Sequence, residues 1–290
     1  MQHIDKIFRK QSRYFLIYSQ KQTVQPIIIT KQIDFLPPIV PICSVLLLYI
    51  FQNNILVACT FLIFFYYFCA MKKIKRPYIP TFGEEIANAV SHGIMSCLTL
   101  LLLPFAAVWS YTHAVENCIE SAVGVSIFVT SIFLMFLTST LYHSMHPESK
   151  HKAVFHILDH IFIYVAIAGS YTPIALNVIG GWQGILIVVL QWAMVIFGIF
   201  YKSLSKRSIP AISLTIYLIM GWTVVFFMPL FLRNASIPLL VLIAIGGIFY
   251  TIGAWFYAKK GFKYHHLIWH LLINIAVCCH VAAIVFFLNA

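Results

Sequence analysis

The stretch HHLIWHLLINIAVCCHVAAIVFFL, residues 265–288, is long and oily enough to cross a bilayer, which takes about 20 residues of helix. It also carries His265, His266, His270 and His280, in surroundings where an imidazole is costly. Working outward from it, similar apolar runs recur at roughly 86–109, 121–142, 154–178, 183–201, 211–231 and 237–258. With 265–288 these make seven spans. The chain has 290 residues, 61% hydrophobic and only 9% charged. A water-facing surface needs roughly 25% charged residues, so a soluble fold is excluded. The fold class is an all-α integral membrane protein, a seven-transmembrane helix bundle. The connections are too short to hide a soluble domain.

Residues 1–79 form an N-terminal extension and residues 80–290 the seven-helix domain. The extension begins polar and basic. It continues with two marginal apolar runs, 35–51 and 55–71, that could pair as a hydrophobic hairpin, although Pro37, Pro38 and Pro41 weaken the first. No short apolar core with a small-residue cleavage site follows the start, so no signal peptide is read there. No CxxC pair occurs among the seven cysteines, which argues against a disulfide framework or a cysteine zinc site.

The net charge of +11 comes from basic clusters between the spans, not from a nucleic-acid-binding face. Lys72, Lys73, Lys75 and Arg76 precede the first span, and Lys150 and Lys152 follow the second. Lys202, Lys206 and Arg207 follow the fourth, and Lys259, Lys260 and Lys263 follow the sixth. The opposite loops hold Arg233 alone. The positive-inside rule then expects residues 71–85 in the cytoplasm and the C-terminus outside.

On that map the unusual residues fall at one depth. His143 ends the second span, Asp159 opens the third, and His266 and His270 open the seventh, all at cytoplasmic helix ends. His266 and His270 are four residues apart, so they share a helix face about 6 Å apart along the axis. Two imidazoles so placed can converge on one metal, with a third from another helix and a fourth position left for water. Zinc suits such ligands and makes hydroxide available near neutral pH. Asp159 is the acidic residue well inside the spans, a costly placement that reads as functional, and it could hold and deprotonate a water. Taken singly, each residue has a plain structural reading. A histidine can be a packing group, Asp159 could cap the third helix or pair with Lys152, and Ser139 could bond back to a carbonyl. Glu85, Asn88 and His92 recur at +3 and +7 on one face of the first span, either as a capped helix start or as a polar lining. His156 and His160 flank Asp159 and could either support it or be interfacial residues. His280 lies about 21 Å deeper than His266, too far to share its metal.

The pieces "EEIANAVSHG" (84–93), "STLYHS" (139–144), "LDHIFIYVAIAGSYTP" (158–173), "MGW" (220–222) and "HHLIWH" (265–270), in this order, resemble the hemolysin III family, the bacterial branch of the progestin and adipoQ receptors. The resemblance covers residues 80–290. It implies a seven-helix bundle in a bacterial plasma (inner) membrane, with a buried zinc near the cytoplasmic face held by His143, His266 and His270. It further implies that Asp159 contacts the metal's water and that Ser139 sits beside it. Glu85, Asn88, His92, His160 and His280 would be supporting or cavity residues. The wider superfamily includes alkaline ceramidases, so the resemblance implies a zinc-dependent hydrolase of a lipid amide or ester, acting on a sphingolipid-like or phospholipid substrate among membrane lipids. Two alternatives stand beside it: a non-enzymatic lipid-responsive receptor with structural zinc, and a cytolysin as the family name suggests. An integral bundle without a pore-lining repeat argues against the last. Bacterial relatives begin shortly before the E-E-x-x-N motif, so residues 1–70 are expected to be an upstream extension, with a misassigned start codon as one source.

Overall fold

A computed structural model describes residues 78, 80–204, 210–259 and 261–289. The readings made for residues 1–77, the possible hairpin and the first basic cluster among them, lie outside the described residues, as do Lys206, Arg207 and Lys260. The helices are α1 (Phe82–His113), α2 (Cys118–Ser144), α3 (Lys150–Pro173), α4 (Gly181–Leu204), α5 (Pro210–Trp222), α6 (Met228–Asn234), α7 (Ile237–Lys259) and α8 (His265–Phe287). No strand occurs among the described residues. Among the described residues, seven helical stretches are long and apolar enough to cross a membrane. The fifth, Ile212–Asn234, is built from α5, a short 3-10 turn (Thr223–Phe227) and α6.

The chain folds inside out relative to a soluble protein. Leu101, Val108, Ile185, Val189, Phe197, Phe200 and Ile248 point outward and are exposed, as lipid-facing groups should be. The helices meet through a buried layer in which Phe128, Ile132 and Phe136 of α2 pack with Ile273, Val277 and Ile284 of α8. A second cluster joins Tyr164, Val195, Leu214, Tyr217, Met220 and Ala254. Sequential helices are neighbours, and α8 returns against α1 to bring the two ends of the bundle together.

Irregular backbone in a bilayer survives only where protein satisfies it. Pro173 ends α3 and leads into a π turn, Ile174–Ile179, whose Val178 carbonyl accepts from Asn234 Nδ2 at 3.0 Å. The break in the fifth span falls at the MGW motif. Gln191 Nε2 donates to the Met220 carbonyl at 3.0 Å. The Tyr171 hydroxyl donates to the Gly221 carbonyl at 2.7 Å and accepts from the Val224 amide at 2.9 Å. One phenol thus stitches the two sides of the break.

At the start of α1, Thr81 and Glu84 form a reciprocal capping box. The same carboxylate accepts from the Tyr78 hydroxyl at 2.7 Å and from the Tyr264 amide at 2.6 Å. Glu84 therefore fastens the segment before α8 onto the first turn of α1. Its hydrogen bond pushes the Tyr78 phenol up to about 12.

Close helix contacts rest on small residues. A side chain on Gly184 would run into the backbone carbonyl of Ala175, which cannot move aside. At Gly221 an added methyl meets nothing within 4 Å. Gly184→Val should therefore cost about 1–3 kcal/mol or abolish folding, whereas Gly221→Ala should be tolerated. Thermal unfolding in detergent reads both.

Candidate metal centre

Three histidines from two helices converge near one end of the bundle. Nitrogens of His143 on α2 and of His266 and His270 on α8 all lie within 4.8 Å of one another, close enough to hold a metal ion. The ring centroids are 5.0 Å apart for His143–His266, 5.1 Å for His143–His270 and 4.6 Å for His266–His270. His143 and His270 are buried.

The surrounding hydrogen bonds fix which nitrogens can bind. His143 Nδ1 lies 2.5 Å from Glu85 Oε2, a carboxylate that only accepts, so Nδ1 carries the proton. The lone pair is left on Nε2, which is buried and has no hydrogen-bond partner. A buried orphan acceptor at the meeting point of three imidazoles fits a cation. His270 Nδ1 lies 3.2 Å from Ser91 Oγ and 3.3 Å from the Asn88 carbonyl. The Ser91 hydroxyl donates to that same carbonyl at 2.9 Å, so its oxygen is free to accept. The proton of His270 sits on Nδ1, which leaves the lone pair on Nε2. Such partners, by orienting the ring and fixing its tautomer, are the usual support of a ligating histidine.

The residues around the cluster take distinct places. Ser139 Oγ is 2.8 Å from Nδ1 of His92, whose ring stacks on His270 at 3.6 Å between centroids and 6° between planes. Asp159 sits on the same cavity wall beside the Ser139 hydroxyl. Its carboxylate is 3.9 Å from His160 Nδ1, which meets the His156 carbonyl at 2.7 Å. Asp159 neither caps α3, a task held by Ser149, nor pairs with Lys152, whose ammonium reaches Glu85 Oε1 at 3.1 Å. On α1 the fully buried face is Glu84, Asn88 and His92, while Glu85 reaches across to His143. Asn88 offers its carbonyl to His270, and its side-chain amide has no hydrogen-bond partner. His280 lies deeper on the wall, with both ring nitrogens buried and without a hydrogen bond of good geometry among the described residues. Gly246 makes room for its ring.

Sequence reasoning missed Ser91 and Lys152. Ser91 stands three residues after Asn88, so helical spacing placed it on the right face. Lys152 looked like one more cytoplasmic charge.

The three-histidine cluster opens on a cavity of about 1390 Å³. Its lining is mostly apolar and is drawn chiefly from α3, the broken fifth span, α7 and α8. On α7 the lining extends from Leu240 to Ala258. At helix rise that is about 27 Å, close to the thickness of a hydrocarbon core.

A profile of the family described as Haemolysin-III related matches residues 81–281. The Hemolysin-3 homolog of Bacillus subtilis (strain 168) is 37% identical over 196 residues, which cover 67% of this chain and 89% of the relative. Hemolysin-3 of Bacillus cereus is 35% identical over 190 residues, covering 66% and 85%. The human monocyte to macrophage differentiation factor is 26% identical over 213 residues, covering 71% and 85%. A seven-span bundle with this sequence kinship is a multi-pass membrane protein, and the chain belongs to the haemolysin III family.

Proposed function

We infer that the protein is a zinc-dependent hydrolase of a lipid amide or ester, working at the cytoplasmic leaflet of a bacterial plasma membrane. The observation that carries this reading is the three-histidine cluster at the wall of an apolar cavity of about 1390 Å³. Three imidazoles suit zinc, whose structural sites are normally closed by four protein ligands.

His143, His266 and His270 would hold the ion. When bound, zinc supplies Lewis acidity toward a carbonyl and makes a water molecule acidic enough to attack it near neutral pH. The chain supplies the rest. Asp159 takes the proton from the attacking water and returns it to the leaving amine or alcohol. Ser139, set by its contact with His92 and beside Asp159, steadies the attacking water or the oxyanion. The apolar walls accept acyl chains and exclude bulk water. The break in the fifth span leaves no unsatisfied backbone at Met220 and Gly221 to oppose a hydrocarbon occupant.

Purified protein should carry about one zinc per chain, and His266→Ala/His270→Ala should carry none. Metal analysis after chelator-free purification decides between them. A metal-free wild type would overturn the reading. Asp159→Asn should keep its zinc yet slow hydrolysis of ceramide or phospholipid by about 10²–10⁴-fold, measured as fatty-acid release. Zinc-loaded wild type that releases no fatty acid from either lipid class would point to a structural ion. The loop charges favour residues 71–85 in the cytoplasm and the C-terminus outside. Alkaline phosphatase fused after Ala290 should therefore be active, and a fluorescent protein fused there should stay dark.

A further inference from the structure

Lys152 stands in the first turn of α3 and is buried, which is unusual for a lysine. Its ammonium donates to Glu85 Oε1 at 3.1 Å and to the Met145 carbonyl at 3.2 Å. The Tyr142 ring lies under it, 5.0 Å away. The other oxygen of Glu85 is 2.5 Å from His143 Nδ1. The three side chains come from three helices: Lys152 from α3, Glu85 from α1 and His143 from α2. They form one continuous line that ends at the unpartnered Nε2 in the histidine cluster.

A carboxylate has two oxygens and rotates readily about its last bond. If Glu85 were bonded to His143 alone, nothing would fix its plane. Lys152 occupies the second oxygen and is anchored to the carbonyl just past the end of α2, where a cation is also favoured by the helix dipole. Glu85 is thereby pinned at both oxygens, and the imidazole of His143 is held in one tautomer and one orientation. The neighbouring acid on α3, Asp159, is left out of the ion pair.

We propose that Lys152 is a positioning residue of the metal centre: acting through Glu85, it holds His143 with Nε2 turned toward the ion, so that metal affinity depends on a lysine that never touches the metal. This rests on the three histidines binding zinc, and the test separates the two. Zinc dissociation constants are measured by competition with a chelator for wild type, Glu85→Gln, Lys152→Met and the double variant. Losses of a supporting partner run to about 10–100-fold in metal affinity. Glu85→Gln should fall in that range and Lys152→Met near its lower end, about 10-fold. The double variant should bind no more weakly than Glu85→Gln alone, because both changes break the same line. It also leaves no lone buried charge, so it serves if Lys152→Met does not fold. Wild-type affinity in Lys152→Met, or losses that multiply in the double variant, would overturn the proposal. A wild type that binds no zinc would instead overturn the metal reading beneath it.

Discussion

A hydrocarbon core offers no hydrogen bonds, and this constraint orders the whole molecule. A polar group placed between the spans is costly unless the protein itself pairs with it. Glu84 shows one way the chain meets this demand. One carboxylate takes donors from Thr81, Tyr78 and the Tyr264 amide, and so caps α1 and secures the start of α8 together. Tyr171, Gln191 and Asn234 do the same for the irregular backbone around the fifth span and the π turn. Without those side chains the cavity could not exist, because the helices that frame it would have to stay continuous.

The metal centre is the same bookkeeping carried further. Nδ1 of His143 and Nδ1 of His270 are both occupied, by Glu85 and by the Asn88–Ser91 pair. What remains unpaired at the three-histidine cluster is the buried Nε2 of His143. The hydrogen bonds therefore select the tautomers of His143 and His270, and these make four packed imidazole rings a candidate ligand set. His92 stacks on His270 but turns its Nδ1 to Ser139, which places it beside the three-histidine cluster.

Much of this was legible in the residues. Span number followed from length and oiliness, since no other fold tolerates so little charge. The pairing of His266 with His270 followed from helical spacing, and the nearness of His143 from its equal depth in the membrane. Two things were not legible. The single fifth span read from 211–231 is in fact interrupted, because its sequence stays apolar through the break and the compensating groups sit on α3 and α4. Lys152 could not be told from a topology-setting lysine, because its burial depends on a tight corner between α2 and α3 that local sequence does not announce. Glu84 and Glu85 are adjacent yet do unrelated work, one in capping and one across the bundle.

The contact that joins α1 to α8 has a consequence for biosynthesis. Asn88 and His270 are 182 positions apart in the chain, and the helices between them pack mainly against their sequential neighbours. Local hairpins can settle as each pair of spans leaves the ribosome, but the loop from first span to last can close only after α8 has emerged. Until then Asn88 and His92 sit in the membrane without His270, their partner on α8. Ring closure and assembly of the histidine cluster are thus one event, the last in the protein's maturation. A chain cut short just before residue 265 would keep six of the seven described spans and only His143 of the three clustered histidines.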